Sequence, residues 1–329
     1  MNRVLARSAL GALALVGASS ALLASAQGFP AAPIRIIVPS VAGGVLDGLV
    51  RVVAQQVAAA IGEPVVVENR PGGNSVTAMV ACAKAAPDGY TLCAAAADAL
   101  SYNPHLFAEL PYDPDRDLTP VIQLTTIQGV IVARADAPFG SISEMVAFAK
   151  AQPGVLNWAT LGPGSISRVY LAWIRHQTDA DITDIPYKGV AQAVPALLAG
   201  EVHLHYVGLG FVLNQIQAGK LKPLAVTGRR RSPILPEVPA LEETVGDPAL
   251  TSYFGVLAPA KTSRPIVDRL NAEFATALRT PRVREFLTAQ TLEAAGNSPT
   301  EFAEFLHADQ ANAGRILRTI GVVTRTARP

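Results

Sequence analysis

One local unit occurs twice in this chain: an apolar strand runs into a Gly-rich loop, and the loop opens a helix. In the first copy Ile34-Arg35-Ile36-Ile37-Val38-Pro39 leads through Ser40, Val41, Ala42, Gly43, Gly44, Val45 and Leu46 to Asp47, and a helix is expected to continue to residue 60. In the second, Leu156-Asn157-Trp158-Ala159-Thr160 leads through Leu161-Gly162-Pro163-Gly164-Ser165 into a helix expected to continue to residue 175. A strand that must turn at once into a helix confines the chain to α/β architectures. Each unit also leaves backbone N–H groups unpaired at a helix N-terminus, where an anion is welcome. Two such cradles, one per lobe, suit a small carboxylate held between them.

The same alternation runs along most of the chain. Strands are expected over 35–38, 65–68, 91–96, 129–133, 156–159, 182–186, 202–206, 221–226 and 253–258. Helices are expected over 48–60, 76–86, 142–150, 167–175, 191–199 and 212–218. Short β-rich runs between amphipathic helices predict an α/β fold with mixed, mostly parallel sheets. The C-terminal part differs, with three successive helices over 265–278, 281–288 and 299–320, the last opened by the capping sequence Ser298-Pro299-Thr300-Glu301. Pro-rich joints at 110–117 and 234–239 suggest a lobe over 125–251 inserted into a lobe built from 27–124 and 252–329. Two crossings between lobes make a hinge.

The first seven residues carry Arg3 and Arg7, an apolar run follows over 8–23, and Ala24-Ser25-Ala26 reads as a signal-peptidase site. Residues 1–26 are therefore expected to be a signal peptide cleaved after Ala26, with a periplasmic destination. About 300 residues remain, enough for two lobes with large cores. The formal net charge of +1 gives no electrostatic reason to expect nucleic acid as a partner. Cys82 falls in a predicted helix and Cys93 in the strand after it; a disulfide and two buried thiols fit that spacing equally.

Taken in order, these residues resemble the substrate-binding receptors of tripartite tricarboxylate transporters, the Bug-type family. The likeness rests on Pro33-Ile34-Arg35-Ile36-Ile37-Val38-Pro39, Gly43-Gly44-x-x-Asp47, Val67-Glu68-Asn69-Arg70-Pro71-Gly72 and Pro87-Asp88-Gly89-Tyr90-Thr91-Leu92. It continues through Asn103-Pro104, Pro111-Tyr112-Asp113-Pro114, Gly162-x-Gly164-Ser165, Pro186-Tyr187-Lys188-Gly189 and Leu235-Pro236-x-Val238-Pro239. The resemblance implies a two-lobed fold of the type II periplasmic-binding-protein kind. It also implies a receptor that is not an enzyme, needs no cofactor or metal, and is expected to be a monomer. It would hold a small organic mono- or dicarboxylate between the lobes and deliver it to membrane transporter subunits.

The expected ligand-contacting set is Ser40, Val41, Ala42, Gly43, Gly44, Asp47, Asn69 and Ala96 from the first lobe. From the second it is Thr160, Gly162, Gly164, Ser165, Ser167, Arg168, Tyr187 and Gly208. Asp47 fits a helix N-cap and an organiser of its loop, since direct contact with an anion would be repulsive. Arg168 fits either a solvent-facing charge or a bidentate carboxylate clamp. Asn69 fits either a turn cap or a cleft residue, and Tyr187 a hinge contact or a cleft wall. Relative to the family, Ser40 replaces a frequent aromatic, Val45 and Leu46 a Ser-Thr pair, Ala96 and Ala97 hydroxyl residues, and Val207 with Gly208 a polar pair. These departures favour a ligand with an apolar or aromatic body, and the missing acid at Val207 argues against a ligand amine. Rival readings are a sensor for a histidine kinase, which would share the cleft, and an exported hydrolase, for which Ser165 lacks a recognisable His partner. A metal site at Glu201, His203 and His205 would spread its ligands along one strand.

Overall fold

The structure, a computed structural model, describes residues 28–162 and 164–321. The signal peptide expected over residues 1–26, with cleavage after Ala26, lies outside the described residues.

The chain forms β1 (Ile34–Val38), α1 (Val45–Ile61), β2 (Val65–Asn69), α2 (Val76–Ala83) and β3 (Thr91–Ala96), then a single π-helical turn (Asp98–Tyr102) and β4 (Leu118–Ile127). A second series follows: β5 (Gly129–Arg134), α3 (Ile142–Ala151), β6 (Leu156–Thr160), α4 (Ile166–Thr178), β7 (Ile182–Pro186), α5 (Val190–Ala199), β8 (Leu204–Gly208) and β9 (Leu221–Val226). The chain returns through β10 (Ser252–Pro259), α6 (Arg264–Leu278), α7 (Pro281–Ala289), β11 (Leu292–Ala294) and α8 (Pro299–Thr319).

Two sheets result, with strand orders β11-β4-β10-β3-β1-β2 and β7-β6-β8-β5-β9. Apart from the edge strand β11, the two orders match role for role. β1 lies between β2 and β3 as β6 lies between β7 and β8, and each sheet accepts one strand from a chain crossing. The two Gly loops therefore follow equivalent strands. Because β1 runs parallel to β3 and β6 parallel to β8, their carboxyl ends lie side by side, where open α/β sheets form ligand crevices.

The sheets are mixed, as the sequence suggested, but parallel pairing does not predominate. Among the described residues four pairings are parallel and five antiparallel. The excess comes from β10 and β5, which enter their sheets after a crossing and so run against their neighbours. β4 and β11 were not expected as strands. β4 carries Pro120 and buries Gln123 and Thr125, which breaks the apolar run that marks a buried strand.

α1 starts three residues earlier than the sequence suggested, because Gly44 rather than Asp47 occupies the N-cap. Leu46, Leu49, Val50, Val53 and Val57 recur at helical spacing and are buried against the first sheet. Gly62, in the left-handed region, ends the helix by donating its N–H to Ala58 O at 3.0 Å. At α8 the expected capping box forms: Glu301 N–H donates to Ser298 Oγ at 3.2 Å, and Ser298 N–H donates to Glu301 Oε2 at 2.8 Å. Cys82 on α2 and Cys93 on β3 form a disulfide, which pins that helix to its sheet.

Within the second lobe, His205 on β8 is fully buried, with Nδ1 at 2.8 Å from Ala159 O and Nε2 without a partner among the described residues. His203 is tied through Nδ1 to Asn157 Oδ1 at 2.8 Å, and among the described residues no cluster of three potential metal ligands forms. Burial pushes the His205 imidazole down from its ordinary value of 6.5 to about 4. The unfolded chain then binds the proton first, so this group's contribution to stability is full above pH 6.5 and declines as pH falls toward 4. The expected decline is about 3 kcal/mol across that interval. Denaturant unfolding as a function of pH should show it, and His205→Leu should flatten that part of the profile.

Candidate functional site

Between the carboxyl ends of the two sheets lies a cavity of about 280 Å³. From the first lobe come Asn74, Ala96, Ala97, Asp98 and Tyr102, together with Ser252, Tyr253 and Phe254 at the start of β10. The second lobe supplies Leu161, Ser165, Ile166 and Ser167 from the loop opening α4, Tyr206, Val207 and Gly208 from the end of β8, and Phe211 from the turn after it. The wall is thus largely apolar and aromatic, with a few hydroxyl and amide groups, as small-molecule sites commonly are.

The second Gly loop is knitted to itself before any ligand arrives. Ser165 caps α4: its Oγ accepts the Arg168 N–H at 3.4 Å and donates to Gly162 O at 2.8 Å. Ser167 Oγ accepts the Leu161 N–H at 3.0 Å and lies 3.1 Å from Ser165 Oγ. Thr160 Oγ1 donates to Asp184 Oδ1 at 2.6 Å and accepts the Gly162 N–H at 3.3 Å. Gly162 and Gly164 adopt φ of 87° and 83°, a region that costs a side-chain-bearing residue strain. Gly164 also touches the other lobe: a Cβ added there would lie 2.9 Å from Asn74 Nδ2 and 3.2 Å from a methyl of Leu106. The loop therefore offers a pre-set helix N-terminus and two neutral hydroxyls at the cavity wall.

The first Gly loop is organised by its own carboxylate. Asp47, buried in the first turn of α1, accepts the Gly43 N–H at 2.9 Å, Asn69 Nδ2 at 2.8 Å and Arg51 Nε at 3.0 Å. Asn69 Nδ2 also donates to Ser40 O at 2.9 Å, and Arg51 Nη2 donates to Asn69 Oδ1 at 2.8 Å. Burial pushes the Asp47 carboxyl up, but the hydrogen bonds from Arg51, Gly43 and Asn69 outweigh it and hold it below its ordinary value. Part of this helix N-terminus is thereby neutralised internally. Ser40 Oγ is buried without a partner among the described residues, whereas Val41 is 66% exposed.

The structure brings Ala96, Ser165, Ser167 and Gly208 into the cavity wall. Thr160, Gly162 and Gly164 shape the second loop behind that wall. Ser40, Val41, Ala42, Gly43, Gly44, Asp47 and Asn69 form the first loop, which is not part of the wall, although the register of β1 on β3 puts it at the same sheet end as Ala96. Arg168 turns to Asp184, Nε to Oδ2 at 3.1 Å, and lines a separate surface depression, so it supplies no clamp to the cavity. Tyr187 packs on the core of the second lobe.

Sequence reasoning missed Asn74, Asp98, Tyr206 and Ser252. Asn74 lies in Gly72-Gly73-Asn74-Ser75, a third Gly-rich turn between strand and helix, and both Asn74 and Ser75 have positive φ, of 53° and 73°. Tyr206 stacks on Tyr170 with centroids 4.4 Å apart, and its hydroxyl lies 3.2 Å from Ser252 Oγ across the two lobes. Asp98 is an acid that breaks an alanine run, a signal visible in sequence but not in any motif.

Comparison with known proteins agrees with this architecture. The profile of the tripartite tricarboxylate transporter family receptor matches residues 49–322. The chain is 34% identical over 305 residues to Protein BugT of Bordetella pertussis, covering 92% of this chain and 91% of that protein. Its fold is similar to that of the periplasmic binding protein BugD, with a TM-score of 0.80 at 28% identity over 90% of this chain and 100% of that one. It is equally similar to Rpa4515 of R. palustris with adipate, at a TM-score of 0.81 and 29% identity over 90% of this chain and 99% of that one. With the family profile spanning most of its length and a curated relative above 30% identity, this chain belongs to the receptor family of the tripartite tricarboxylate transporters.

Proposed function

We propose that the chain is an exported, non-catalytic receptor that captures a small organic carboxylate between its two lobes and passes it to the membrane subunits of a tripartite tricarboxylate-type transporter. One observation carries the reading: at the carboxyl ends of two equivalent sheets, a helix N-terminus with Ser165 and Ser167 borders a cavity rich in apolar and aromatic surface. Neutral donors at a helix start hold a carboxylate without a buried cation, and the apolar wall suits the rest of such a ligand. The adipate named with one similar structure and the periplasmic setting of another support the ligand class and the compartment.

In this reading the lobes hinge where Gln128 joins β4 to β5 and where 227–251 returns to β10. Closure brings the Ser40–Gly44 loop onto the ligand, which gives a role to its exposed Val41 and to the unpartnered Ser40 hydroxyl. Each lobe alone then binds weakly, and ligand holds the closed form.

A thermal-shift screen of small carboxylates tests the reading. A ligand present at about a hundred times its dissociation constant should stabilise the protein by about 2.7 kcal/mol; absence of any shift across mono-, di- and tricarboxylates would contradict it. Gly164→Val should lower the affinity of the best ligand by about tenfold or more while the protein remains folded by circular dichroism, because the new side chain wedges against Asn74 and Leu106. Unchanged affinity would show that the second loop is not part of the site.

A further inference from the structure

The cavity wall is electrically lopsided. Among the described residues it contains no Lys, Arg or His, but it contains one acid, Asp98. Asp98 opens the π-helical turn after β3, at the sheet end nearest the cavity. Its Oδ2 accepts the Ser75 hydroxyl at 3.2 Å. Its Oδ1 has no accessible surface of its own and no hydrogen-bond partner among the described residues, whereas the residue as a whole is half-buried at the cavity wall. A buried carboxylate oxygen without a donor is costly to keep charged. Burial pushes the carboxyl up, only partly offset by the Ala99 N–H and Ser75.

The neighbouring aromatics supply ring surface. Tyr102 and Tyr253 also line the cavity, but Tyr102 OH donates to Thr251 O at 3.2 Å and Tyr253 OH is paired with Ser101 Oγ at 2.8 Å. Their hydroxyls are engaged elsewhere, so these residues present apolar, quadrupolar surface near the acid. Ser165 and Ser167 come from the opposite lobe, at a helix start that favours negative charge. The two sides of the cavity thus prefer opposite charges.

We propose that Asp98 is a specificity residue that selects a zwitterionic amino-carboxylate, whose carboxylate meets the Ser165–Ser167 loop and whose ammonium lies against the Asp98 carboxylate among aromatic rings. The inference rests on the receptor reading and narrows it. An ammonium in the cavity offsets the charge of the acid and gains from aromatic faces. A dicarboxylate would set its second charge against Asp98 in a site with no lining cation, where like charges at short range repel strongly. The acid that the sequence lacks at Val207 is in this way supplied from the other lobe.

Titration calorimetry on the mature protein with matched pairs tests the proposal: 4-aminobutanoate against glutarate, 5-aminopentanoate against adipate, and 4-(aminomethyl)benzoate against terephthalate. In at least one pair the amino-carboxylate should bind at least about tenfold tighter than its dicarboxylate partner. Asp98→Asn should reduce or invert that ratio, while a folding defect common to both ligands would leave the ratio unchanged. Tighter binding of the dicarboxylate in every pair, or an unaltered ratio in Asp98→Asn, overturns the role of Asp98 and leaves the receptor reading standing. Binding of simple carboxylates such as benzoate with none of the amino-carboxylates does the same. Failure to bind any carboxylate overturns both.

Discussion

The strands that arrive from a chain crossing sit inside both sheets rather than at their edges. β10 pairs with β3 on one side and β4 on the other, and β5 pairs with β8 and β9. Remove either and its sheet falls into two pieces whose apolar faces no longer share a core. Each lobe therefore depends on chain that has just crossed between the lobes. At the crossing itself β4 and β10 lie paired, Ile127 with Ser252, and Thr227 N–H donates to Gly129 O at 2.9 Å. Such a joint permits rotation of one lobe against the other at a few residues while both sheets stay whole.

The matched strand orders explain why the Gly loop occurs twice. After β1 and after β6 the chain must turn at once into a helix at the sheet end that faces the crevice. A Gly-rich turn satisfies that geometry and exposes amides there. The two copies have nevertheless diverged in charge. The first takes in its own carboxylate, Asp47, and ties it with Arg51 and Asn69. The second is stitched by Ser165 and Ser167, which are neutral, and so keeps its helix start available to an anion. Of the two helix starts, only the second borders the cavity and carries no acid of its own.

The alternation of β-rich runs and amphipathic helices made the α/β class legible, and the helix bounds of α3, α5 and α6 fall within a residue of expectation because Ser, Gly and Pro punctuate them. β4 was not legible: its polar positions Gln123 and Thr125 are buried, and Gln123 Oε1 accepts from Asn297 Nδ2, far along the chain, at 3.0 Å. At the site, Ser165 and Ser167 could be read from the loop that contains them. Arg168 could not, because its orientation is decided by Asp184 on the next strand. Asn74, Asp98 and Ser252 belong to three separate loops and strand ends, and only the folded arrangement makes them neighbours. Local sequence specifies elements and caps, while a cleft between lobes is assembled from distant segments, where single-sequence patterns carry least information.

The central claim is that a carboxylate is held between the two lobes by the loop that opens α4. A crystal structure of the protein with its tightest-binding carboxylate tests it most directly. The account predicts ligand carboxylate oxygens within about 3 Å of donors in the Ser165–Ser167 loop, with the ligand body against Tyr206 and Phe254 and the Ser40–Gly44 loop drawn toward it. A ligand seated outside this cavity, or held by one lobe alone, would contradict the account.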